Sequence, residues 1–147
     1  MLLGRMGMLI AFVFCLQAAP ASAAEQSLVY ETYKTSVEPI FLKKRPGHAR
    51  CVVCHAESNN AFRLQKLTPG STSWTEEQSR RNFETVSKLV VLSDPLSSVF
   101  LLAPLAPEAG GAAYHSGGRQ FSSRDDPDWK ILVQWAAGQS QAVSPTK

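Results

Sequence analysis

Cys51-Val52-Val53-Cys54-His55 is the stretch that decides how the rest of the chain is read. The two thiols stand three positions apart, so on a short helix they project from the same side, one turn from each other. An imidazole follows directly. Sulfurs at that spacing can both reach the vinyl groups on one edge of a porphyrin, and the next side chain then lies beneath the ring and offers a nitrogen to iron. C-x-x-C-H is the attachment signature of haem c. The expectation is one covalent haem per chain, with Cys51 and Cys54 as thioether residues and His55 as proximal iron ligand. A large apolar cofactor held covalently would supply much of the core of a small domain.

Two other chemistries use the same residue types. A zinc site could draw on His48, Cys51, Cys54 and His55, but structural zinc sites usually place their second ligand pair a dozen or more residues away. A thioredoxin-like redox pair needs a βαβ setting, and no segment here reads as a parallel strand.

The sixth coordination position is constrained by composition. The chain has three methionines, Met1, Met6 and Met8, all within an N-terminal segment expected to be removed, so the usual thioether ligand is missing. His48 and His115 are the remaining histidines. His48 lies three residues before Cys51, on the proximal side. His115 lies in a glycine-rich stretch with Gly110, Gly111, Gly117 and Gly118, which would let backbone approach a cofactor closely. His115 is therefore the candidate distal ligand. The alternative is a solvated loop histidine, with Tyr114 or an open iron site in its place. Bis-histidine ligation implies a lower reduction potential than a His/Met pair.

The N-terminus reads as a signal peptide over residues 1–23: Arg5, an apolar run from Met8 to Leu16, then Ala21-Ser22-Ala23. The run is too short to span a bilayer, so no transmembrane anchor is expected after processing, and the location is periplasmic or secreted. Residues 24–147 form one domain of 124 residues. It keeps 14 Lys and Arg against 12 Asp and Glu, a balance that does not point to nucleic acid. With Cys15 removed, Cys51 and Cys54 are the remaining cysteines, which leaves no disulfide framework.

The periodicity is helical throughout, and the expected fold is all-α, a small helical domain wrapped around its cofactor. Val29, Tyr33, Val37, Ile40 and Phe41 mark an amphipathic helix over 27–44, with a kink or restart at Pro39. Thr75 with Gln78 forms a capping box for a helix over about 76–91, facing inward through Phe83, Val86, Leu89 and Val90. Asp94-Pro95 starts a short helix with Leu96, Val99, Phe100 and Leu101. Residues 104–124 read as a long irregular loop. Asp126-Pro127 opens a last helix carrying Trp129, Leu132, Val133 and Trp135 inward, with Gly138 after it and a frayed tail over about 139–147. Lys43, Lys44, Arg45, Arg50, Arg63 and Lys66 lie near the attachment motif, as propionate partners, a steering surface or a solvated face.

With these motifs in place the chain resembles the single-haem cytochrome c superfamily. Val37-Glu38-Pro39-Ile40-Phe41 before the C-x-x-C-H motif is similar to its N-terminal helix, and Trp129-Lys130-Ile131-Leu132-Val133-Gln134-Trp135 to its C-terminal helix. The resemblance implies that these two helices cross. Ser97-Ser98, His115-Ser116-Gly117-Gly118 and Asp126-Pro127-Asp128-Trp129 resemble the planctomycete-type cytochrome c-like domains. The implied role is single-electron transfer among redox partner proteins, without substrate turnover. The competing readings are a haem-containing subunit of a periplasmic oxidoreductase, a haem peroxidase with an open sixth position, or a sensor.

Overall fold

Pro39 has no amide proton for the carbonyl four residues back, and its ring crowds that carbonyl, so an unbroken α-helix cannot run through it. In the computed structural model, which describes residues 27–138, the first helical rod answers this with three joined stretches. These are α1 (Tyr30–Thr32), a π-helical turn (Tyr33–Val37) and α2 (Glu38–Leu42). The amide of Glu38 donates to the carbonyl of Tyr33, a five-residue span, and Pro39 falls in the first turn of α2. The kink or restart expected at Pro39 is found as a restart, α2, with a widened turn just ahead of it. Its ends are shorter than the expected 27–44.

The Cys51–His55 motif is itself a helix, α3 (Cys51–His55). Farther on, α4 (Glu76–Ser87) begins at Thr75 with the expected reciprocal cap: Gln78 N donates to Thr75 Oγ1 at 3.3 Å, and Thr75 N to Gln78 Oε1 at 3.0 Å. It ends before Leu89 and Val90, which follow it in a turn, half-buried against the core. Polar side chains share its inner face. Ser79 and Asn82 are buried there, Asn82 Oδ1 accepting the amide of Gln65 and Ser79 Oγ the Nζ of Lys34, which also pairs with buried Glu38.

The apolar helix expected after Pro95 divides. A 3₁₀ turn (Pro95–Ser97) and the single turn α5 (Val99–Leu102) are separated by extended Ser98, whose buried hydroxyl accepts the amide of Val91. Phe100 and Leu101 are buried, whereas Leu96 and Val99 are exposed. The last helix, α6 (Pro127–Ala136), is capped by Asp126 as expected, and Gly138 follows in the left-handed region with φ 70°.

Trp129, Leu132 and Trp135 of α6 are buried. The Trp135 ring packs against Tyr33 at 5.6 Å between centroids, and its Nε1 donates to the carbonyl of Val29, so the first and last helical elements rest on each other. Tyr33, Phe41, Phe62, Phe100 and Trp135 form a chain of edge and tilted contacts that makes one core.

The fold class is all-α: among the described residues there is no strand, and a single parallel bridge joins Leu105 to Phe121. That bridge tethers the glycine-rich segment. Ala106 N donates to Phe121 O, Phe121 N to Pro104 O, and Ala112 N to Leu102 O, each near 3 Å. Gly111 permits the packing, since a Cβ there would lie 1.9 Å from the carbonyl oxygen of Leu105. The segment read as an irregular loop is therefore held to the rest of the protein by its backbone. The predicted signal peptide and tail lie outside the described residues, and among those residues no helix is long and apolar enough to cross a membrane.

Candidate functional site

A cavity of about 370 Å³ opens between α3 and the glycine-rich segment. Its volume falls in the range of roughly 300–1,000 Å³ usual for small-molecule and cofactor sites. Phe41, Phe62, Phe100, Phe121 and Leu132 give it apolar walls, and Cys51, Cys54, His55 and His115 all lie on its lining. The four residues singled out from the sequence thus share one space, although His115 is 60 positions from His55 in the chain.

On one wall, α3 brings Cys51 and Cys54 to one side of a single helical turn. Val52 anchors the helix with 4% exposure, while Val53 is 52% exposed. Both cysteines are free thiols, Cys54 exposed and Cys51 half-buried. Burial pushes the Cys51 thiol up to about 11, against its own backbone amide and the Arg45 charge, which pull it down.

His55 is oriented by backbone. Its Nδ1 lies 2.7 Å from the carbonyl of Phe62, an acceptor, so Nδ1 carries the proton and Nε2 is left with its lone pair. Its own carbonyl accepts the amide of Leu64 at 3.0 Å, closing the turn that follows α3. Burial holds its imidazole below the usual histidine range, opposed by the Phe62 carbonyl and assisted by nearby His115. The neutral ring is the form that can ligate a metal.

His115 is built the same way on non-helical backbone. Its carbonyl accepts the amide of Gly118, and its Nδ1 lies 2.6 Å from the carbonyl of Gly118, which again leaves Nε2 as the lone-pair nitrogen. Gly118 holds φ 78°, which a side chain would strain, and a Cβ on Gly117 would sit 3.2 Å from the His115 ring. The two imidazoles lie with centroids 6.1 Å apart and an interplanar angle of 19°.

The alternatives raised by the sequence find other places. Tyr114 is 80% exposed. His48 is half-buried, its Nδ1 3.5 Å from where a Cβ on Gly118 would lie, and it does not line the cavity. Among the described residues no group of three or more His, Cys, Asp or Glu converges as a bare metal ion would require.

The basic residues near the motif are largely engaged. Lys43 pairs with Asp128, Lys66 with Glu57, and Arg45 with both Asp126 and Asp128. Arg50 lines the cavity.

Two features were not foreseen. One is the pair of carbonyl acceptors that fix the histidines, since a backbone oxygen carries no sequence signal. The other is Gln120, buried at 8% exposure on the cavity wall and bonded to both sides of it.

No protein-family model, no curated protein and no solved structure matches this chain. The function therefore has to be argued from the residues and their geometry.

Proposed function

We propose that the protein is a c-type cytochrome that carries single electrons between redox partner proteins outside the cytoplasmic membrane, through one haem c joined to Cys51 and Cys54 and ligated by His55 and His115. One observation carries the reading: two imidazoles with centroids 6.1 Å apart and nearly parallel planes line one apolar cavity that has both cysteines on its wall. A metal bonded to one nitrogen of each ring at about 2 Å would hold the ring centroids about 6 Å apart. Bare-ion sites need more protein ligands; iron in a porphyrin takes its other four nitrogens from the macrocycle, so two histidines suffice.

When bound, the haem supplies a one-electron couple, and the protein sets its environment. Phe62 O holds the proton of His55 on Nδ1, and this raises the ligand strength of Nε2. Gly118 O does the same for His115. Two imidazoles, with no thioether, set the potential below that of a His/Met site. Phe41, Phe62 and Phe100 give the cavity apolar walls, whereas Cys54 and Val53 lie at the surface, where a partner can approach the attachment edge. The peroxidase reading needs a vacancy where His115 stands.

The test is expression with a haem c maturation system, followed by mass measurement and a pyridine haemochrome spectrum. One covalent haem per chain is expected, absent in the Cys51→Ser/Cys54→Ser protein. Colourless wild-type protein of unmodified mass overturns the reading.

A further inference from the structure

The His55 side of the cavity is helical and locally determined, but His115 sits on a turn with no helix beneath it. A distal ligand on such a turn is only as well placed as the contacts that tie the turn to the attachment segment. Those contacts converge on Gln120. Its Nε2 donates to the carbonyl of Ala49 at 3.1 Å, two residues before Cys51, and to that of Gly117 at 3.5 Å, two residues after His115. One buried amide thus joins the strand of chain that leads into α3 to the turn that carries the opposite imidazole.

Gln120 is fixed in its turn by Arg45. The guanidinium donates Nη1 to Gln120 O at 3.2 Å and to Asp126 Oδ2 at 2.9 Å, and Nη2 to Asp126 Oδ1 at 3.0 Å and to Asp128. It also lies 4.6 Å over the ring of Phe121. Arg45 belongs to the segment between α2 and α3, and the two aspartates to the start of α6, so the guanidinium locks the backbone at 120–121 to both neighbours. Lysine could neutralise the aspartates but has no planar fork to reach Gln120 O at the same time.

We propose that Gln120, held by Arg45, is the positioning residue that keeps His115 opposite His55, and so controls how readily the distal ligand yields to an incoming one. The proposal rests on the bis-histidine reading. A small ligand can bind ferric iron only after His115 leaves, so the rate of cyanide binding reports how firmly His115 is held, while the low-spin spectrum reports whether it is a ligand at all.

The experiment measures cyanide binding to the ferric holoprotein in wild type, Gln120→Met, Arg45→Lys, Lys43→Met and His115→Ala. Gln120→Met keeps the side-chain volume and removes both donors. Arg45 lies off the cavity lining, so Arg45→Lys weakens the tie without altering the wall. Both are expected to stay low-spin at rest and to bind cyanide about tenfold faster, the scale at which loss of an outer-shell partner is usually felt. Lys43→Met disturbs the same acidic cluster without touching Gln120 and is expected to match wild type.

Unchanged rates in both clamp variants, alongside a high-spin His115→Ala protein, would overturn the clamp and leave the ligand assignment standing. Equal acceleration in Lys43→Met would also overturn it, as general loosening. A low-spin His115→Ala protein would remove the ligand assignment and the clamp together.

Discussion

The two walls of the cavity present the same side chain by opposite means. On one, His55 is the last residue of α3, and everything that orients it lies within nine residues: the helix, the Phe62 carbonyl and the Leu64 amide. On the other, His115 stands on a four-residue turn, and its position depends on bonds to residues 49, 102–106 and, through Arg45, 126–128. Local order makes the first wall robust and readable from sequence. Long-range order makes the second adjustable, because it can be loosened without disturbing α3.

The largest effect that would sharpen this contrast comes from removing each imidazole in turn. His55→Ala is expected to cut the yield of low-spin holoprotein at least severalfold, since the attachment motif itself is broken. His115→Ala should keep its covalent haem and become high-spin and open to carbon monoxide. Absorption spectra of the two purified proteins decide the matter. Equal behaviour would abolish the distinction between the walls.

A second test acts on packing. Phe121 is 2% exposed and holds the bridge to Leu105. Phe121→Ala is expected to cost about 3–5 kcal/mol in urea unfolding. Val53→Ala on the attachment helix, at a half-exposed position, should stay within about 0.5 kcal/mol. A mild Phe121 variant would show that the glycine-rich segment is held by something other than its contacts at 104–121.

The smallest effect is electrostatic. Burial raises the Asp126 carboxyl, but its hydrogen bonds from Arg45 and from the amides of Trp129 and Asp128, with the Arg45 charge, leave it below the usual carboxylate range. Its folded value is thus lower than the unfolded one of about 3.9, so its stabilisation is complete above that pH and is lost as pH falls through the folded value. Urea midpoints measured from pH 5 downward should fall less steeply for Asp126→Asn than for wild type. Parallel slopes would refute the assignment.

What could be read from the sequence follows the same division. The Thr75–Gln78 cap, the Asp126-Pro127 start and the C-x-x-C-H helix were legible because each is completed within a few residues. The same holds for the inward tryptophans of α6. The break at Ser98 was not legible, because its hydroxyl is committed to the amide of Val91, a contact that periodicity does not encode. Neither were Ser79 and Asn82 on the inner face of α4, where polarity reads as exposure until their partners Lys34 and Gln65 are known. The residues at 104–124 look structureless because their order is made by main-chain groups, and only the glycines hint at it. His115 was singled out by elimination; its approach to His55 required the fold.

The π-helical turn at Tyr33–Val37 changes the phase of the first rod. Each α-helical residue rotates a side chain by about 100°, and widening a turn absorbs one residue without that advance. Tyr33 ahead of Pro39 is thereby aimed at Trp135, while Ile40 and Phe41 beyond it form cavity wall. Deleting a single residue such as Ser36 is expected to restore ordinary winding with the two halves still in step, whereas the same residues wound as plain α-helix would set them about 100° apart. The rod thus works as a splice between two surfaces, and the widened turn keeps both in register by absorbing one residue.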